Sequence, residues 1–301
     1  MTPPRIVALH LQNFRSARDV LIEFDRITYL VGPNAAGKSN VIDGLQFIRD
    51  ALADGLDRAL DRRGGAGKVR FREGKKGRPS DLSFEVVVAL PRNRHTYSFS
   101  LRVTEGGRYR VLSERLIRGE STTSDATEVK VLFDRQERED GGSYQGLPRR
   151  GIPDSDQLML PLHGSRAEIR PLWKALTEVQ SYNIAPDRFK NPTDDSPWKY
   201  LARDGANLAW ILARLERKRP GALVNIVHYL KGILAGVTEV GSLLVGERRV
   251  PFIKQRRGQS ELLLESVQCS DGTLRCIGLL VALFQEPRLG MVALEEPAAG
   301  R

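Results

Sequence analysis

The segment Gly32-Pro33-Asn34-Ala35-Ala36-Gly37-Lys38-Ser39 constrains this chain more than any other, because it fits G-x-x-x-x-G-K-[ST]. Its surroundings predict the matching geometry. The apolar run Ile27 to Val31 predicts a strand feeding the segment. From Ser39 to about Ala53, residues Val41, Ile42, Leu45, Ile48 and Leu52 fall on one stripe and predict a helix leaving it. Glycines let the backbone curl so that successive N–H groups aim at phosphate oxygens. The helix start adds the positive end of its dipole. In such a loop, running from Gly32 through Asn34, Ala35, Ala36 and Gly37, Lys38 is expected to reach the β- and γ-phosphates of ATP. The Ser39 hydroxyl is expected to ligate Mg2+.

Bulk properties narrow the class. With 41% hydrophobic and 28% charged residues over 301 positions, the composition is that of a globular chain with a sizeable core. No run of 18 or more apolar residues occurs, so no spanning helix is expected. The start MTPPRIVALHLQ reads as a first strand, because a secretory signal needs a longer apolar region. Cys269 and Cys276 are too few for a disulfide framework, and the four histidines are scattered, so a reduced, cytoplasmic setting is expected. The net charge of +10 favours a polyanionic partner. It is concentrated in segment 62–80 (Arg62, Arg63, Lys68, Arg70, Arg72, Lys75, Lys76, Arg78) and in segment 248–257, which makes both candidate contacts for duplex DNA.

Pattern reading places strands at Arg5 to Gln12 and Asp19 to Phe24, a glycine-rich loop over 62–80, and an antiparallel set over 83–134. Residues 135–158 read as a linker. Helical patterns follow at about 167–178 and 196–235, and strands near 238–245, 250–255 and 261–265. A helix from about Gly272 to Phe284 leads into a last apolar strand, Leu289 to Leu294. Trp173, Trp198 and Trp210 fall in helical segments and are expected to pack.

The end of the chain separates the phosphate-loop classes. Met291 to Leu294 delivers two adjacent carboxylates, Glu295 and Glu296. Paired acids at a strand end suit Mg2+ holding by the first and deprotonation of attacking water by the second. Upstream, Ser270-Asp271-Gly272-Thr273-Leu274-Arg275 opens an apolar helix, so Ser270 and Gly272 form a second anion-site candidate or a helix N-cap. A GTPase needs an N-K-x-D segment, which is absent, and a small-molecule kinase leaves the second anion site unexplained. An ATPase of the ABC/SMC superclass accounts for all three features.

These motifs resemble the RecF/SMC-like ATPases of the ABC superclass, in the compact bacterial type without a long coiled-coil arm. Leu11-Gln12-Asn13-Phe14-Arg15-Ser16 looks like that family's opening strand and turn, and Val31 to Asn40 is similar to its V-G-x-N-x-x-G-K-S-N. Ser181 to Pro186 sits where such proteins carry the segment that senses Mg2+. Asp204-Gly205-Ala206-Asn207-Leu208 resembles D-G-x-N-L, Ser270 to Arg275 the signature, and Leu294-Glu295-Glu296-Pro297 the Walker B ending. The resemblance implies an α/β head, with a mixed sheet around the phosphate-binding helix, an antiparallel β insertion and a helical lobe. As one head, the parts would be 1–60 (phosphate loop), 61–160 (basic loop, insertion, linker), 161–260 (helical lobe) and 261–301 (signature helix and Walker B strand).

It also implies an ATP-sandwiched homodimer in which Ser270 acts in trans, with Arg15 and Asn40 near the nucleotide and Asn183 as the nearest amide to Mg2+. The family continues past Walker B with a dimer-contact loop, a strand and a switch histidine, while these residues end at Arg301, so nucleotide binding is expected to outlast turnover. The leading expectation is an ATPase acting on DNA in repair or defence against foreign DNA. The alternative is a nucleotide-gated module that controls a partner such as a nuclease. A transporter subunit fits poorly, because the signature is not L-S-G-G-Q.

Overall fold

Strict alternation of apolar side chains builds the first part of the structure, a computed structural model that describes residues 3–71, 81–104, 106–120, 128–137, 142–146, 153–194 and 199–296. The chain divides into two compact units, Met1–Val179 and Gln180–Arg301. In the first unit, strands β1 (Arg5–Phe14) and β2 (Ala17–Glu23) precede helices α1 (Lys38–Ala53), α2 (Leu56–Asp61) and α3 (Ala66–Val69). Strands β3 (Leu82–Ala89), β4 (Asn93–Val103), β5 (Tyr109–Glu120), β6 (Glu128–Gln136) and β7 (Ser143–Gly146) follow, then helices α4 (Leu160–His163) and α5 (Arg170–Thr177). One antiparallel sheet results, in the order β2-β1-β3-β4-β5-β6-β7, with Leu9 opposite Val86.

In β3, Leu82, Phe84, Val86 and Val88 are buried, and in β4 Tyr97, Phe99, Leu101 and Val103, so the sheet has one covered face. Helix α1 lies on that face against β1, with α5 beside it. An aromatic stack forms the junction. Phe47 of α1 lies 4.8 Å from Phe84, which lies 4.9 Å from Phe99 and 5.3 Å from Phe14, centroid to centroid. Burying each such ring contributes roughly 1.5–3 kcal/mol of transfer free energy, and the stack sets the position of the helix that leaves the phosphate loop.

The second unit holds β8 (Val179–Tyr182), which begins at the boundary, α6 (Leu208–Lys218), α7 (Pro220–Lys231), β9 (Val237–Val245), β10 (Arg248–Arg257), β11 (Ser260–Glu265), α8 (Asp271–Phe284) and β12 (Met291–Leu294). Strands β11-β10-β9 form an antiparallel sheet, and β12 pairs with β8. Helix α6 packs on β9 and β10, and α7 on α8 and β9, around Tyr182, Phe189, Leu212, Leu230, Ile253 and Val281. Among the described residues no helix is long and apolar enough to cross a membrane.

The α/β class and the antiparallel insertion over 83–134 match the sequence expectation. The expected strand Ile27 to Val31 does not form. Ile27, Tyr29 and Val31 are 72%, 82% and 91% exposed. The chain turns away from the sheet at Asp25, whose N–H donates to Thr28 Oγ1 at 3.0 Å, and β2 stays an edge strand. The described part of the expected 62–80 loop contains α3, and the expected linker contains β7. Helix α6 starts only at Leu208, because the residues before it form a side-chain-bonded turn. Asp204 Oδ1 accepts the Ala206 N–H at 3.1 Å, and Asn207 Oδ1 accepts that of Ala202 at 2.7 Å.

Gly205 in that turn has φ +84°, and a Cβ there would lie 2.2 Å from Phe189. Gly205→Ala is therefore expected to cost about 3 kcal/mol, from left-handed strain plus overpacking. The shift in the chemical denaturation midpoint measures it; a loss under about 1 kcal/mol would contradict the packing described.

Candidate functional site

Gly32 to Ser39 sits in the first unit as an exposed turn running into α1. Gly37 is the N-cap of α1, left-handed at φ 88°, and carries no side chain with which to cap the helix. The first turn has no acidic residue either. No side chain caps the start of α1, where the Asn40 N–H turns back to Gly37 O at 3.0 Å, so an incoming anion meets no competing acid or cap there. Ala35, at φ 65°, bends the loop back, and the Ala36 N–H closes on Pro33 O at 3.3 Å. Lys38 folds over the loop, its Nζ donating to the carbonyls of Gly32 and Pro33 at 2.7 Å each. The Lys38 ammonium, the uncapped start of α1 and the Ser39 hydroxyl fit a magnesium-bound polyphosphate by the chemistry of their donors.

The β1–β2 turn lies against this helix. Asn40 donates from Nδ2 to the Ser16 hydroxyl. Arg15, left-handed at φ 52°, pairs through Nε with Asp43, one turn into α1. Asp43 also accepts from Arg63 Nε at 2.8 Å, and Arg63 continues to Asp50 at 2.9 Å while lying over the Phe47 ring. The structure therefore brings Arg15 and Asn40 to the phosphate-loop helix. Asp43 was not singled out from sequence; the spacing of Asp43, Asp50 and Arg63 gives no helical pair that would have flagged it.

In the second unit, Glu295 and Glu296 leave β12 at the end of β8: the Glu295 N–H donates to Tyr182 O at 2.8 Å, and Asn183 follows directly. Asn183 is exposed and its N–H is held by Arg203 O at 2.9 Å. The Glu295 side chain is only 14% exposed and accepts from Arg203 Nη2 at 2.5 Å. Glu296 is exposed, left-handed at φ 47°, and its carbonyl accepts from Arg275 Nη1 at 3.0 Å. A fixed, mostly buried carboxylate beside an open one can divide the work of metal holding and proton abstraction. Arg203 was missed in the sequence because it reaches Glu295 from a distant segment that no periodic pattern links to it.

The start of α8 is closed by its own residues. Ser270 is the N-cap, its Oγ accepting the Thr273 N–H at 3.2 Å. Asp271 stands in the first turn and pairs with Lys190 at 2.8 Å, which also holds Asp187 at 2.9 Å. Gly272 follows Asp271 with open space around it apart from Ser270. Helix α1 thus lacks an anion of its own, while α8 supplies one.

Several expected basic residues are spent internally. Arg62 pairs with Asp54 and Arg63 with Asp43 and Asp50; Arg248 pairs with Asp194, and Lys254 with Glu239 at 2.6 Å. Arg249 lies 5.2 Å over the Trp210 ring. Among the described residues of segment 248–257, Arg256 and Arg257 are exposed and have no ion pair. Residues 72–80, Trp198 and Pro297 lie outside the described residues. Cys269 and Cys276 are free thiols, and burial raises the pKa of Cys269.

A family model described as "AAA domain, putative AbiEii toxin, Type IV TA system" matches residues 27–300. A curated relative, the DNA double-strand break repair Rad50 ATPase of Sulfolobus acidocaldarius, is 33% identical over 101 residues, covering 33% of this chain and 10% of that protein. The chain thus spans about a tenth of the length of that relative. Among solved structures, an Smc head bound to the C-winged helix domain of ScpA aligns over 93% of this chain and 76% of its own, at 14% identity and TM-score 0.49. An Smc head domain with an extended coiled coil, bound to the C-terminal domain of ScpA and derived from Pyrococcus furiosus, covers 93% and 78%, at 12% identity and TM-score 0.43.

Proposed function

The chain belongs to the AAA-domain family whose model spans residues 27–300, and from that premise we propose that it binds and hydrolyses ATP with Mg2+ as an ABC/SMC-like ATPase. The observation that carries this reading is the uncapped start of α1, with Lys38 folded over the loop. In it, the loop N–H groups and Lys38 bind the β- and γ-phosphates. Ser39 in the first unit would be a Mg2+ ligand, and Glu295, followed across the strand pair by Asn183, is the carboxylate of the second unit suited to the same ion, which would neutralise phosphate charge when bound. Glu296 orients a water and accepts its proton. Ser270 and Gly272 meet the nucleotide of a second copy, so ATP drives a homodimer, and Arg15 and Asn40 support the loop. We assign duplex DNA as the polyanion, from the charge of +10, the exposed Arg256 and Arg257, and the Rad50 likeness. Segment 62–80 contributes as far as its internal ion pairs allow. The process is repair or defence against foreign DNA, in the cytoplasm.

A second reading, a nucleotide-gated module that controls an effector such as a nuclease, is favoured by the Arg203–Glu295 pair, which closes one carboxylate. Mg-ATP hydrolysis by the whole chain, with and without linear duplex DNA, separates the two. Under the first reading Glu296→Gln lowers turnover by roughly 10²–10⁴-fold, and the variant accumulates an ATP-bound dimer in sedimentation. ATP binding without turnover in the unaltered chain selects the module, and absence of ATP binding removes both.

A further inference from the structure

We propose that Arg203 is the internal counter-cation of Glu295, holding that carboxylate where a divalent ion would otherwise hold it and yielding it when Mg2+ binds. The inference rests on the reading of Glu295 as a Mg2+ ligand. The Glu295 carboxylate is only 14% exposed, and the partner it has is a guanidinium that is itself 63% exposed. The acid is therefore fixed within the fold, while the base sits at its rim with room to swing.

The backbone of Arg203 is pinned, because its carbonyl accepts the Asn183 N–H at 2.9 Å and the next residues form the bonded turn before α6. Only the side chain needs to move. The neighbouring acid, Asp204, is taken by Arg188 at 3.1 Å, so Arg203 is not drawn to it. A divalent ion at Glu295 competes for the oxygen that Arg203 holds and repels the guanidinium. Release of Arg203 is thus coupled to metal entry, and the Glu295 carboxylate stays paired in the meantime.

The test measures ATP affinity by equilibrium titration across a series of free Mg2+ concentrations, for the full chain and for Arg203→Ala, Arg203→Gln and Arg203→Lys. Removing the competing charge is expected to lower the Mg2+ concentration at half-effect by about threefold or more, the scale of a partly exposed pair. Arg203→Lys, which keeps the charge, should stay near the unaltered chain. Melting in EDTA checks the fold and gives a second readout: the neutral variants should lose melting temperature in EDTA and regain it with Mg2+ more than the unaltered chain does. If Arg203→Ala fails to fold, Arg203→Gln carries the same expectation with the side-chain length kept. An unchanged or raised Mg2+ midpoint in the neutral variants overturns the proposal. If ATP binding by the unaltered chain ignores both Mg2+ and Glu295→Gln, the metal-ligand reading itself falls and takes this inference with it.

Discussion

Lys38→Ala is expected to weaken ATP binding on the order of 10²-fold while leaving the fold intact. The ammonium now bridges two loop carbonyls at 2.7 Å, which places it at the mouth of the loop and at the end of a flexible stem. Charge-assisted hydrogen bonds contribute roughly 1.5–3 kcal/mol each, and about 3 kcal/mol corresponds to about two decades in affinity. The structural cost of the substitution is small, because the lysine is only partly buried and its contacts are with carbonyls that water can serve. Equilibrium titration with Mg-ATP, alongside a thermal melt, distinguishes the two effects. A loss of less than about fivefold with an unchanged melt would mean that the loop does not cradle a phosphate.

The largest stability effect is expected far from that loop, at Glu114. Its carboxylate is fully buried on β5 and accepts from Tyr97 Oη at 2.8 Å, from the Leu160 N–H at 2.8 Å and from the Met159 N–H. Arg135 nearby donates to the carbonyls of Gln157 and Asp154, so the same cluster fastens the segment before α4 to the sheet. Glu114→Ala leaves three buried donors without an acceptor and is expected to cost roughly 3–5 kcal/mol, a large part of the total stability of an ordinary domain.

Burial pushes the Glu114 pKa up to about 7, because desolvation outweighs the three donors and the Arg135 charge that lower it. Its folded value thus lies above its ordinary value of 4.5, so the proton is held more tightly in the folded chain. The stability it contributes is full below that ordinary value and is lost as pH rises through about 7. Denaturation midpoints should therefore fall between pH 4.5 and 7 in the unaltered chain and fall less in Glu114→Gln. Equal slopes in the two would remove Glu114 from the account.

Much of this was legible from residue order alone. Alternation in Leu82–Ala89 and Asn93–Val103 announced the strands, and the stripe from Val41 to Leu52 announced α1, because one period decides which face is buried. Ile27 to Val31 misled for the same reason: its apolar run has strand character, yet a strand also needs a neighbour, and pairing is settled by the rest of the chain. The loop itself could be read because its chemistry is local. Arg203 on Glu295, Lys190 on Asp271 and Arg63 on Asp43 could not, since each joins residues whose proximity only the fold creates. The basic stretches overstated the free charge for that reason. Arg62, Arg63 and Arg248 are counted in the sequence but answered by acids elsewhere.

The aromatic stack that positions α1 draws on Phe14, Phe47, Phe84 and Phe99, and β1 is flanked on one side by β3. A ribosome delivers these residues in order, at roughly 5–20 per second. The hairpin of β1 and β2 and the helix behind the phosphate loop therefore emerge several seconds before the strands on which that helix rests. Until Phe84 and Phe99 arrive, the nascent helix has only β1, through Phe14, to cover its apolar stripe. An early stop codon before residue 84 would yield a fragment that carries the full phosphate-loop motif and only the Phe14 half of the stack that positions its helix.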